Sequence, residues 1–192
     1  MSKTVIIIPS RMSAKRLPNK PLLKINGKSI ISLVYLKAVA CKIGKVIVAT
    51  EDKKISDEIK KYNGNVILTS KKHQSGTDRI WEAFKKLKDK NLKYIINLQG
   101  DEPSICPNDI MRLNKTVIKN KLDICTLASK IKSNKSLSNK NIVKVITSQK
   151  MSYINTSKAK LFTRNIKKKT IKFINILVFI IIVFLRLKNF AN

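Results

Sequence analysis

Four cations within ten residues, Arg11, Lys15, Arg16 and Lys20, follow closely on the β-branched run Val5 to Ile8. Pro18 and Pro21 stiffen the backbone between and beyond them, so their charge converges on one place. A loop of this kind at the end of a buried parallel strand lies on the ligand edge of an open α/β sheet, where clustered cations suit a polyphosphate. A solvated basic loop has the same composition, and spacing alone leaves both readings open. A second group is Gln99-Gly100-Asp101-Glu102-Pro103. Gly100 is expected to adopt a backbone angle other residues avoid, leaving the Asp101 carboxylate at a strand's C-terminal edge, where Mg²⁺ bound to substrate phosphates would be held. An aspartate in an ordinary turn is the alternative. The third group is His73-Gln74-Ser75-Gly76-Thr77-Asp78-Arg79. Ser75 and Asp78 have capping-box spacing, which accounts for them without a ligand and leaves Gln74 and Arg79 over. His73, the single histidine, reads as a polar loop residue, because spacing implies no carboxylate to orient it as a base.

Something must position these three loops, and the hydrophobic pattern supplies it. Val5 to Ile8 reads as a strand buried on both faces and ended by Pro9, and Lys45 to Thr50, Asn65 to Thr69 and Lys93 to Leu98 read as further strands. Between them lie a helix capped by Ser29 and stopped by Gly44, a polar helix opened by Glu51-Asp52, and a helix from about Asp78 to Lys90. Pro107 starts another that runs to about Asn120. Asp123 to Lys130 and Ile142 to Ile146 are expected as fifth and sixth strands, separated by a Lys/Asn/Ser-rich link over 132–141. Strands alternating with helices predict an α/β fold with a mainly parallel, doubly wound sheet.

Composition narrows the partners. The net charge is +30, but all 11 acids lie at or before Asp123, and residues 124–192 carry 15 bases and no acid. With 6% aromatic residues and no recognition motif, the basic balance reads as a bias across the chain, and no nucleic-acid role is expected. Cys41, Cys106 and Cys125, odd in number and widely spaced, read as reduced core or near-core thiols of a cytosolic protein, not as a disulfide framework or zinc site.

In order along the chain, the strand ending in Pro9-Ser10-Arg11, then Arg16-Leu17-Pro18-Asn19-Lys20-Pro21-Leu22, Val48-Ala49-Thr50-Glu51-Asp52, the segment from His73 to Arg79, and Asn97 to Pro103 resemble the 3-deoxy-manno-octulosonate cytidylyltransferase (CMP-Kdo synthetase) family. The resemblance covers about residues 3–165 and ends with Asn141-Ile142-Val143-Lys144-Val145 and Ala159 to Arg164. It implies a nucleotide-diphospho-sugar transferase (Rossmann-like) fold and CMP transfer from CTP to the acidic sugar Kdo, with release of pyrophosphate. It also implies Mg²⁺ as cofactor, a place in lipopolysaccharide synthesis, a cytoplasmic location and a homodimer. Carried over residue by residue, Arg11, Arg16 and Lys20 would bind nucleotide phosphates, with Gln74 and Ser75 assisting. Arg11, Lys20 and Asp101 would act in catalysis, Asp101 by holding the metal. Arg79 and Gln99 would contact the sugar, Arg79 as a partner for its carboxylate. A cytidylyltransferase for another acidic sugar, and a non-catalytic nucleotide-binding remnant, are the rival readings.

The domain expectation follows: 1–130 a nucleotide-binding α/β domain, 131–166 the start of a sugar-binding and dimerisation lobe, and 167–192 a basic, then apolar, tail. That tail carries nine unbroken apolar residues from Ile176 to Phe184, with Leu185 a tenth. It falls well short of the roughly 20 residues that span a bilayer, so a membrane anchor is not the preferred reading. A buried strand or core helix is a second reading. A shifted reading frame or truncated gene product after about residue 167 is preferred, and it predicts an incomplete second lobe and weak or absent activity.

Overall fold

The computed structural model describes residues 3–12, 17–131, 133–152 and 155–166, together with the backbone strands 174–176 and 184–186. In chain order the elements are β1 (Thr4–Ser10), a 3-10 turn (Lys20–Leu22), the small hairpin β2 (Lys24–Ile25) and β3 (Lys28–Ser29), α1 (Ile30–Ala40), β4 (Lys45–Thr50), α2 (Lys53–Lys60), β5 (Asn65–Leu68), α3 (Gly76–Leu87), β6 (Tyr94–Asn97) and α4 (Pro107–Asn120). There follow β7 (Ser129–Lys130), α5 (Asn134–Ser138), β8 (Lys144–Thr147), β9 (Ala159–Thr163), β10 (Ile174–Ile176) and β11 (Phe184–Arg186). The chain divides into two units: the residues up to Thr126 with β11, and those from Leu127 through β10.

In the first unit the sheet order is β11-β6-β1-β4-β5, parallel except for β11, which runs antiparallel to β6. β1 is buried along its whole length, as expected for a central strand covered on both faces. Val5, Ile7, Ile47, Ala49 and Ile95 face α3, packing on Ile80 and Ala83. Alternation turns Ile6, Ile8, Val46 and Val48 to the other face, where α1 lies against β1 and β4. This is the doubly wound arrangement that the βα alternation predicts.

Three local expectations need correction. Pro9 does not end β1: the strand continues to Ser10, in register with Thr50. The carbonyl of Ile7 accepts the Leu98 N–H at 3.1 Å, so position 9 also faces the β6 side, beyond the point where β6 stops at Asn97. A missing N–H there leaves no ladder bond unmade. Gly44 does not stop α1; the helix closes at Cys41, and Lys42 turns the chain away at φ 52°. The expected fifth and sixth strands shrink to Ser129–Lys130 and Lys144–Thr147 and do not join the parallel sheet.

They belong instead to the second unit, an antiparallel sheet of order β7-β10-β8-β9. Their ladder partners are β10 and β9, which run antiparallel to them, so their backbone hydrogen bonds are made within this sheet and not with β6. Lys144 is fully buried here, its Nζ donating to the carbonyls of Asn139 at 2.5 Å and Arg164 at 2.8 Å. Of the tail 167–192, β10 and β11 are strands, and the rest, including most of the apolar run, lies outside the described residues. Among the described residues no helix is long and apolar enough to cross a membrane. Cys41 is buried, whereas Cys106 is exposed at the start of α4, so it is not a core thiol.

Candidate active site

The parallel strands run β5-β4-β1-β6, so the chain builds outward from β1 on one side and then crosses to place β6 on the other. The strand order therefore reverses between β1 and β6, and a crevice opens there outside the carboxyl ends of the strands. A cleft of about 270 Å³ occupies this position. Pro9, Ser10 and Arg11 come from the end of β1, Gln99, Gly100 and Asp101 from the end of β6, Lys20 and Pro21 from the first loop, and His73, Ser75, Gly76 and Arg79 from the approach to α3.

Each wall has a local cause. Asn19 adopts φ 60°, and the Leu22 N–H closes onto its carbonyl at 2.9 Å, turning the first loop into the 3-10 turn that buries Pro21. Lys20, on that turn, donates through Nζ to Asp101 Oδ2 at 2.6 Å. Gly100 does not have the positive φ expected of it; Gly27 is the glycine with one among the described residues. Its requirement is closeness: a Cβ at Gly100 would stand 2.9 Å from Ile31 Cδ1 and 3.0 Å from the Pro9 carbonyl oxygen. The end of β6 is thereby pressed against β1, which brings Asp101 into the cleft. Glu102, beside it, has its carboxyl pushed above the usual range by burial and by the Asp101 charge.

Ser75 caps α3, its Oγ accepting the Asp78 N–H at 3.1 Å and donating to Asp78 Oδ2 at 2.7 Å. The cap aims the positive end of α3 at the cleft without consuming the whole of it. Arg79, one turn on, lines the cleft yet is only 3% exposed. Its guanidinium is ion-paired with Glu51 and donates to Thr69 Oγ1 at 2.5 Å. Burial lowers its pKa, and the charge of Glu51 opposes that shift. His73 meets a carboxylate after all: its Nε2 lies against Glu82 Oε2. Glu82 also accepts the Ser70 N–H at 2.9 Å and pairs with Lys86 at 2.8 Å. Lys86, the Ser70 amide and His73 together pull the Glu82 carboxyl down to about 2.

Of the residues singled out from sequence, Arg11, Lys20, Ser75, Arg79, Gln99 and Asp101 line one cleft. Gln74 is exposed between His73 and Ser75 and is not part of its wall, and Arg16 lies outside the described residues. Sequence reasoning missed Glu51, Glu82 and Ser10. Glu51 carried a signal, since an acid directly after a parallel strand stands on the ligand edge. Ser10 Oγ is buried at the wall without a hydrogen-bond partner, a costly feature more usual at functional sites than elsewhere. Glu82 had no short-range signal, lying in the second turn of α3, nine residues from His73. Chemically, Arg11, Lys20 and the α3 N-terminus can hold a polyanion, and Asp101 offers a carboxylate beside it.

The cytidylyltransferase family profile matches residues 5–180. The 3-deoxy-manno-octulosonate cytidylyltransferase of Rhodopseudomonas palustris (strain BisB18) is 43% identical over 148 residues, covering 77% of this chain and 60% of that protein. The protein of that name from Glaesserella parasuis serovar 5 is 42% identical, covering 77% and 57%. This chain thus spans roughly 60% of the length of the curated relatives it matches. The solved structure of CMP:2-keto-3-deoxy-manno-octonic acid synthetase complexed with CTP superposes with a TM-score of 0.79 and 32% identity, over 95% of this chain and 73% of the other.

Proposed function

The chain belongs to the cytidylyltransferase family, and from that premise we propose that it transfers CMP from CTP to the acidic sugar Kdo, giving CMP-Kdo and pyrophosphate. The observation that carries the proposal is the convergence of Arg11, Lys20 and Asp101 on a cleft at the switch point of a sheet similar to one solved with CTP. In this reading the hydroxyl of the sugar attacks the α-phosphorus in line and pyrophosphate leaves. The chain supplies positioning and charge compensation, with no nucleophilic side chain. Arg11 and Lys20 bind the phosphates and offset the charge that builds on them. The capped N-terminus of α3, with Ser75, adds backbone donors. Gln99 and Arg79 face the sugar, Gln99 through its amide and Arg79 through whatever donors Glu51 and Thr69 leave.

The reading includes Mg²⁺. This cation commonly takes one or two carboxylates together with substrate phosphates, and Asp101 is a carboxylate with 47% of its side chain open in the cleft. Among the described residues no cluster of three acidic, histidine or cysteine side chains offers an all-protein cage, which fits a cation shared with the nucleotide. Asp101 would hold it, and the bound cation would neutralise phosphate charge. The proposal extends to a cytoplasmic homodimer serving lipopolysaccharide synthesis. The edge strand β9, with Leu161 and Phe162 half exposed, supports the dimer as a surface that a second copy would cover.

Pyrophosphate release from CTP, Kdo and Mg²⁺ tests the reaction, with Asp101→Ala as control. Release is expected to be weak, as an incomplete second lobe implies, to require Kdo and to fall at least a hundredfold further in the control. Release with no Kdo dependence, or CTP binding without release, would refute the assignment.

A further inference from the structure

Lys20 and Asp101 belong to loops 81 residues apart, and Nζ and Oδ2 meet at 2.6 Å in the wall of the cleft that both line. Their side chains are 33% and 47% exposed, so solvent and ligands reach both partners. Opening an ion pair of this kind shifts an equilibrium by no more than about fivefold. Of the two arginines that line the cleft, Arg11 and Arg79, the latter is committed to Glu51 and not to Asp101. Any ligand that takes one member of the Lys20 pair must therefore deal with the other.

Consider the ligands singly. A divalent cation approaching Asp101 meets a carboxylate already neutralised by an ammonium, and must displace that ammonium against like-charge repulsion. A triphosphate without metal approaching Lys20 meets the Asp101 charge within contact distance of the same nitrogen. The metal–nucleotide complex differs because it presents both charges in one body. The ammonium passes from carboxylate to phosphate, the carboxylate passes from ammonium to cation, and neither is left unpaired at any stage of the exchange.

We propose that the Lys20–Asp101 bridge is an interlock that makes the chain bind a divalent cation and a nucleoside triphosphate together, each alone being disfavoured by the partner it would have to evict. The proposal rests on the reading of the cleft as a CTP site with the cation at Asp101. By linkage the effect is reciprocal: whatever frees Asp101 from Lys20 improves binding of the cation, and whatever frees Lys20 from Asp101 improves binding of the phosphates.

The test measures binding without turnover. Mn²⁺ alone, followed by its electron spin resonance, and CTP in the presence of chelator, followed by calorimetry, are titrated into the full chain. The same titrations are made with Lys20→Met, Asp101→Asn and the double variant, each checked for folding by circular dichroism, and Lys20→Gln serves as a second lysine variant. Lys20→Met and Lys20→Gln are expected to bind Mn²⁺ alone about three- to fivefold more tightly than the parent chain. Asp101→Asn should bind chelated CTP more tightly by a similar factor, and this gain should vanish in the double variant, where no lysine remains to be freed. Unchanged or weaker Mn²⁺ binding in both lysine variants overturns the interlock, as does a CTP gain that persists without Lys20. A parent chain that binds no CTP, with or without Mn²⁺, overturns the nucleotide-site reading itself and the interlock with it.

Discussion

Replacing Glu51, the ion-pair partner of the cleft residue Arg79, by Gln should be strongly destabilising. It leaves the Arg79 guanidinium, 3% exposed, with its hydrogen bond to Thr69 but without its counter-charge. Removing one member of a buried ion pair costs about 3–5 kcal/mol, because the remaining charge is uncompensated in a poorly solvated place. Glu51 is 14% exposed, so some water reaches this side of the pair, and the lower end of that range, ~3 kcal/mol, is expected. That is a large part of the roughly 5–15 kcal/mol by which domains are stable. Urea unfolding should show a lower midpoint with an unchanged slope. Arg79→Met made together with Glu51→Gln removes the buried cation, so the double variant should recover about half of that loss, ~1.5 kcal/mol. A Glu51→Gln cost below ~0.5 kcal/mol, or strict additivity of the two changes, would refute the reasoning. Arg79 would then be free of Glu51 and available to an anionic ligand.

Gly100→Ala should cost about 1–3 kcal/mol in thermal unfolding, since Ile31 can yield but the Pro9 carbonyl is backbone; an unchanged melting temperature would contradict the packing. Ser75→Ala removes the α3 cap and should cost ~1 kcal/mol, with Ser75→Asp restoring most of it; urea midpoints of the pair decide this. Glu82 is held at about 2, below its ordinary value of 4.5, so the stability it confers is complete above pH 4.5 and is lost as the pH falls toward 2. Urea midpoints measured from pH 5 to pH 2 should therefore fall less steeply for Glu82→Gln than for the parent chain, and parallel curves would contradict this.

The elements that carry the cleft were legible where the cause is local. Lys45–Thr50 and Pro107–Asn120 appear with the bounds read from sequence, because a β-branched run and a proline at a helix start act within a few residues. Ser75 with Asp78 and Ser29 with Ser32 form the expected caps for the same reason. Asp123 to Lys130 misled because it has a strand's composition but, among the described residues, a partner strand only for Ser129–Lys130, and pairing is not a property of the segment itself. Pro9 misled because a missing N–H matters only if a neighbouring strand is there to receive it.

By itself the sequence determined which groups could do chemistry here: the cations after the first strand, the capped approach to α3 and the carboxylate after the fourth. It determined also that they lie on loops at the carboxyl ends of strands, since hydrophobic period and turn residues mark those ends. Only the tertiary structure decided which of them meet. Lys20 with Asp101, Arg79 with Glu51 and His73 with Glu82 are pairings across 81, 28 and 9 residues of chain. The third depends on how the chain turns into α3; the first two depend on the order of strands in the sheet, which sets β1 beside β6 and β4 and so brings their loops together. Contacts of that kind are encoded by the packing of the whole sheet, in which no single stretch of sequence carries both partners and the distance between them.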